Sequence, residues 1–286
     1  TLFRSKCLKP VEIVTHESVR RRGGGFSTCG CWYTDTEFVL KGLQIMCGIA
    51  GFVNDMPIDV KCPVLQRMTD MIAHRGPDSE GHYIDEHAAL GHRRLSIIDL
   101  GGGQQPIYNE DGSKVITFNG EIYNYQTLRE ELIAAGHTFT TKSDTEVLLH
   151  GYEQWGVDLL QRVRGMFTFV IWDKNKQELF GARDHFGIKP FYYAKMNGTF
   201  MYASEIKSLL RHPDFVKELN AEALKPYMTF QYPAIGETFF KGVYKLPEGH
   251  YFTYRDGKMD IHRYYDEDFR EGKQKLGELV NSIDQD

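Results

Sequence analysis

Cys47 is the residue of this chain with the clearest potential for chemistry. It stands second in "MCGIAGF" (46–52), directly after Met46, the first methionine of the sequence. A cysteine in an apolar run is ordinarily a small buried hydrophobe, so its position decides. With Met46 and everything before it removed, Cys47 would carry a thiol and a free α-amine together. An α-amine titrates near about 7.7–8.0, so a large share is neutral at neutral pH and can accept the thiol proton. One residue then supplies both nucleophile and base. Gly48 beside it would let a substrate approach the backbone closely. Other reactive groupings are weaker. Cys7, His16, Cys29 and Cys31 lack the paired spacing of a structural zinc site, and "RRRGGG" (20–25) has too few arginines for a nucleic-acid patch.

The elements that must position Cys47 sit in a chain of 286 residues with net charge −5, 41% hydrophobic and 26% charged. That is a globular composition, and the negative balance argues against a nucleic-acid partner. No apolar run is long enough to span a membrane, and the first residues lack the order of a secretory signal. Five irregularly spaced cysteines point to a reducing cytoplasm rather than a disulfide scaffold. Residues 1–45 carry seven Lys/Arg against four Asp/Glu, so the remainder is at −8. This segment has weak periodicity and no methionine, and reads as upstream translation or a pro-segment that ends before Cys47.

From Met46 onward the pattern sharpens. "CGIAGFV" (47–53) reads as a buried strand, and Val64, Leu65, Met68, Met71 and Ile72 repeat at helical spacing. Residues 88–99 and 115–124 read as strands around the turn-rich "GGGQQPIYNEDG". A helix follows from Asn124, its cap, to Gly136, its left-handed stop. Another starts at Ser143, with Glu146 completing a capping box, buries Val147, Leu148 and Trp155, and stops at Gly156. Residues 166–184, 190–205 and 242–265 read as hairpins, the last two turning at Asn197-Gly198 and Asp256-Gly257. Strands paired as hairpins, with helices in blocks, predict antiparallel sheets covered by helices. No Gly-rich phosphate loop occurs.

"MCGIAGF", "HRGPDSEG" (74–81), "RRLSIIDL" (93–100), "FNGEIYNY" (118–125), "KSDTEVLLHGYEQWG" (142–156), "MFTFVIWD" (166–173), "ARDHFGIKPFYY" (182–193) and "ASEIKSLL" (203–210) together resemble class II glutamine amidotransferases, in the family's order. Within that family the run is most similar to the glutamine-hydrolysing asparagine synthetase branch, over about residues 46–265. The resemblance implies an α+β fold, the Ntn-hydrolase-like four-layer αββα sandwich of two mostly antiparallel sheets. It implies glutaminase activity on L-glutamine, with Cys47 attacking the side-chain amide through a thioester. Asn119 and the Gly120 backbone N–H would be the oxyanion donors. As an isolated dipeptide, Asn-Gly reads better as a tight turn, and only the surrounding motif reverses that order.

Recognition of the amino acid follows the same resemblance. Arg94 would fork onto the glutamine carboxylate, and Arg93, its neighbour on a strand, would point the other way. Backbone groups at Leu95, Ile97 and Ile98 would complete that wall. Glu121 and Asp144 would accept from the ammonium, although an acid at position 144 is equally favoured by the helix dipole. "HRGPD" and "RDHFGIKP" would be loop frameworks with paired charges, and Cys62 helix packing.

The expected divisions are 1–46 as extension plus initiator Met, 47–265 as the amidotransferase domain, and 266–286 as the opening of a synthetase domain. In the family that domain binds ATP and Mg²⁺ and amidates aspartate, and it would be the partner of this one. No cofactor or metal is expected within 47–265. A homodimer is compatible with the resemblance. The alternatives are the glutaminase domain of another class II amidotransferase, or a non-catalytic fragment if Cys47 stays internal.

Overall fold

The computed structural model describes residues 47–95, 103–231 and 236–266. The extension up to Met46, the 96–102 segment with Ile97 and Ile98, and the chain beyond 266 lie outside the described residues.

Among the described residues, twelve strands form two six-stranded sheets, and every strand pair is antiparallel. The first contains β1 (Gly48–Val53), β2 (Ser79–Ile84), β3 (Ala88–Arg94), β8 (Tyr192–Met196), β9 (Thr199–Ala203) and β10 (Val243–Lys245), in the order β10-β8-β9-β1-β3-β2. The second contains β4 (Ile107–Tyr108), β5 (Lys114–Ile122), β6 (Gly165–Asp173), β7 (Glu178–Arg183), β11 (His250–Arg255) and β12 (Lys258–Arg263), in the order β12-β11-β7-β6-β5-β4.

Side-chain alternation makes the layers. In β6, Phe167, Phe169 and Ile171 face one core while Val170 and Trp172 face another. In β9, Phe200 and Tyr202 meet that second core from the opposite sheet, and Met201 and Ala203 turn away from it. The shared core is the interface between sheets. The outer face of the first sheet is covered by α1 (Ile58–Asp70) and the short α5 (Ile206–Leu209), through Val64, Leu65, Met68 and Leu209. The outer face of the second is covered by α2 (Tyr125–Ala134), α3 (Asp144–Trp155) and α4 (Leu159–Arg162), through Leu128, Leu132, Val147, Leu148 and Leu160. A further helix, α6 (Ala221–Phe230), precedes β10. The result is the expected αββα sandwich, and a strand buried on both faces needs an apolar residue at nearly every position.

Local chemistry explains the boundaries. The hairpin tips Asn197-Gly198 (φ 50° and 82°) and Asp256-Gly257 (φ 50° and 73°) hold both residues in the left-handed region, as two-residue hairpin turns demand. Helix α2 ends at Gly136, with φ 103°. There Gly136 N–H donates to Ile133 O and His137 N–H to Leu132 O, a Schellman closure.

Several expectations need correction. The helical spacing seen from Val64 to Ile72 belongs to a helix that runs from 58 to 70, through Pro63, which removes one internal hydrogen bond. Asn124 precedes α2 but does not cap it. Its side chain instead bridges Arg162 O and Arg164 N, at 2.9 Å each. Ser143 does cap α3, accepting from Thr145 N. Glu146 does not reach back to close a box; it accepts from the backbone and hydroxyls of Thr140 and Thr141 at 2.6–3.0 Å. Trp155 is only partly buried.

Candidate active site

One cavity of about 250 Å³ collects Cys47, Arg94, Leu95, Asn119, Gly120, Glu121 and Asp144. These are all the expected site residues that fall within the described chain. They come from the start of β1, the end of β3, the middle of β5 and the first turn of α3. The volume suits a small polar molecule.

Cys47 sits immediately before β1. Its sulfur accepts from Leu95 N–H at 3.3 Å and lies 3.5 Å from Leu95 O. Burial pushes its thiol pKa up, against the opposing pull of the Leu95 amide and of the Arg94 and Lys189 cations. Arg75 donates to the Cys47 carbonyl at 3.1 Å and pairs with Glu205 at 3.1 Å, fixing the backbone on the other side. Gly48 does not open the backbone to a ligand: a Cβ there would meet Ile72 at 3.0 Å and Arg75 at 3.2 Å. The missing side chain makes room for the segment that follows α1.

The opposite wall is β5. Strand β4 pairs with it only at residues 115 and 116, so the edge at Phe118 must be satisfied otherwise. Gln105 Oε1 accepts from Phe118 N at 2.6 Å, and the His92 ring meets Phe118 O at 3.0 Å. Just beyond, the Asn119 side chain is buried, and its Nδ2 has no hydrogen-bond partner. Buried donors are almost always satisfied, so this one is an observation about the cavity it lines. Gly120 is required by the neighbouring strand, because a Cβ would sit 2.2 Å from Met166 O.

The charged residues divide as the strand alternation requires. Arg93 turns outward to Asp70 and Glu80, at 2.5 and 2.6 Å, while Arg94 is buried and lines the cavity. Asp144 Oδ2 accepts from Ile122 N at 2.9 Å. Burial pushes its carboxyl pKa up, the Ile122 and Thr145 amides opposing. The cavity thus brings together two cations, Arg94 and Lys189, two carboxylates, Asp144 and Glu121, a thiol and an unspent amide.

Lys189 and Gln105 went unread in the sequence. Lys189 lies in "RDHFGIKP", a framework loop as expected, but one held by backbone groups rather than paired charges. Asp184 accepts from the backbone N–H of Phe167, Phe186, Ile188 and Lys189 at 2.9–3.2 Å. Arg183 donates to the carbonyls of Lys189, Leu246 and Gly187. That clamp carries Lys189 to the cavity. A lysine two positions past a glycine turn, before proline, carried no readable signal. Gln105 reaches the site through its contacts with Phe118 N and Thr145 Oγ1.

The family model for the glutamine amidotransferase domain matches residues 46–265. The chain is 45% identical over 242 residues to asparagine synthetase [glutamine-hydrolyzing] 1 of Bacillus subtilis, covering 83% of this chain and 38% of that protein. It is 37% identical over 240 residues to amidase chry2 of Gibberella zeae, covering 77% of this chain and 34% of that one. It therefore spans well under half the length of these curated relatives. Among solved structures, the glutamine phosphoribosylpyrophosphate amidotransferase of B. subtilis superposes with a TM-score of 0.55 at 17% identity, over 77% of this chain and 49% of that one. That likeness is one of fold.

Proposed function

The chain belongs to the glutamine amidotransferase domain family, and from that premise we propose that it hydrolyses L-glutamine to glutamate and ammonia through a thioester on Cys47. The observation that carries the reading is the shared cavity: the Cys47 sulfur and the buried, unpartnered Asn119 Nδ2 line the same space. The Cys47 sulfur attacks the side-chain amide carbon, and its proton passes to the Cys47 α-amine. Asn119 Nδ2 and the Gly120 N–H donate to the oxyanion. The α-amine returns the proton to the leaving nitrogen, ammonia departs, and water cleaves the thioester to glutamate. Arg94 takes the substrate carboxylate, with Leu95 and the outlying Ile97 and Ile98 completing that wall. Asp144 and Glu121 take the ammonium, whose charge offsets the cost of a buried Asp144 carboxylate.

The raised thiol pKa makes the base indispensable. While Met46 is attached, the Cys47 nitrogen is an amide and cannot serve, so the active form begins at Cys47 and the domain runs from 47 to 265. In the longer protein the ammonia amidates aspartate, using ATP and Mg²⁺ bound by a synthetase domain that begins near 266. A second reading concerns only that destination: the likeness to a protein named an amidase leaves room for a different acceptor on the same glutaminase.

The test is a comparison of the chain beginning at Cys47 with the chain retaining residues 1–46, assayed for glutamate release. Only the first should be active, and Cys47→Ser should abolish that activity. A glutamine analogue with an electrophilic carbon should label Cys47 and leave Cys62 unmodified. Activity surviving in Cys47→Ser, or labelling that bypasses Cys47, would overturn the nucleophile.

A further inference from the structure

A second cluster lies outside the cavity, where the turn after β4, the end of α2 and the middle of α3 meet. Glu110, His137, His150 and Glu153 converge there with one donor atom each, all within 4.8 Å of one another. None of them lines the Cys47 cavity. The individual separations are short: His137 Nδ1 to Glu110 Oε1 is 3.5 Å, His150 Nδ1 to Glu110 Oε2 is 3.5 Å, and His150 Nδ1 to Glu153 Oε2 is 3.1 Å. Nitrogen and oxygen donors bonded to a tetrahedral zinc ion at about 2.0–2.2 Å sit about 3.3–3.6 Å apart. These three separations are close to that edge length, and the four donor atoms as a set lie within 4.8 Å.

The outward atoms are already committed. Glu153 Oε1 accepts from Asn109 Nδ2 at 2.6 Å and lies 3.5 Å from Lys114 Nζ, leaving Oε2 to face inward. His137 Nε2 meets Gln154 Oε1 at 3.2 Å, which places the hydrogen on Nε2 and the lone pair on Nδ1. His150 is buried, and its Nε2 makes no hydrogen bond, with the buried carboxylate of Glu146 3.6 Å away. A small shift would let Glu146 accept from that nitrogen, as carboxylates do behind metal-bound imidazoles. Glu146 is itself held by Thr140 and Thr141. As the chain stands, His150 Nδ1 hydrogen-bonds Glu153 Oε2 at 3.1 Å; a divalent cation would displace that proton and draw both Nδ1 atoms and both carboxylates onto one centre.

We propose that Glu110, His137, His150 and Glu153 form a structural binding site for a divalent zinc-type cation, with two nitrogen and two oxygen ligands. Two imidazoles with two carboxylates suit zinc better than calcium or magnesium, which take oxygen. The ion would tie the β4–β5 turn and the end of α2 to α3, the helix whose first turn presents Asp144. The sequence shows no metal pattern because the ligands come from three segments.

Titration of the metal-stripped full chain with ZnCl₂ by calorimetry tests the site. One equivalent should bind to it, and Glu110→Ala and His137→Ala, both at the accessible rim, should each weaken that binding by at least about tenfold. Co²⁺ in place of zinc should show the visible bands of a tetrahedral centre without thiolate charge transfer in the near ultraviolet. The proposal is overturned if no zinc binds, if both variants bind like the parent chain, or if the thiolate band appears and assigns the metal to cysteines instead.

Discussion

At Cys47, burial works against reactivity. Desolvation raises the thiol pKa more than the Leu95 amide, Arg94 and Lys189 lower it, so the resting sulfur is protonated and needs a base in contact. The proposed oxyanion donor is the reverse case, because the Asn119 amide is already desolvated and spends nothing on a protein partner. A donor preorganised in this way acts fully only when charge develops. Asn119→Ala in the chain beginning at Cys47 should therefore lower kcat by about 10²–10³-fold while KM for glutamine changes little. Steady-state kinetics checks this, and an equal loss carried by KM alone would assign Asn119 to ground-state binding. Cys47 and Asn119 were both legible in sequence, through position and motif. Lys189 was not, since its delivery depends on the Arg183–Asp184 clamp, whose partners are backbone groups brought together by folding.

Among the elements, β5 carries most of the site. Its full-length pairing with β6 gives it a fixed frame, and its other edge is finished by side chains where β4 stops. Gly120 is the tightest point of that frame. Gly120→Ala would drive a methyl into the Met166 carbonyl of β6, an overpacking that backbone cannot relieve without shifting the strand. The expected loss is about 3 kcal/mol or more, read as a fall of about 6–12 °C in Tm. An unchanged Tm would show that β5 and β6 separate more freely than their register implies. Turn chemistry made the hairpins readable from residue types, whereas the roles of Asn124 and Glu146 were not. Both are good cap residues in isolation, but each found better partners in a neighbouring loop, a competition only tertiary proximity creates.

For the molecule as a whole, the two sheets are joined beside the site by His92, fully buried on β3 and bonded to Phe118 O on β5. Burial pulls its pKa down to about 3, and the Arg94 charge adds to this against the Phe118 carbonyl. His212 is likewise pulled down to about 4 by burial. An unfolded histidine titrates near about 6.5, so on acidification the unfolded chain binds these protons first. Their contribution to stability is whole above about pH 6.5 and is lost as pH falls toward the folded values. Between pH 7 and 4.5, His92→Gln should remove about 2–3 kcal/mol of the decline in unfolding free energy, measured by urea denaturation at both pH values. An identical decline in the variant would show that His92 is protonated without unfolding. Residue types and spacing by themselves determined the antiparallel sheets covered by helices and the turn positions, and the motif series determined the family and the αββα sandwich it implies, because alternation, paired positive-φ turns and a motif series are local or linear properties. Only the tertiary structure decided which arginine faces the cavity wall, that Gly48 serves packing, that Lys189 and Gln105 join the site, and that four residues from three segments converge as one cluster. Those depend on which distant backbone groups and charges meet when the layers close.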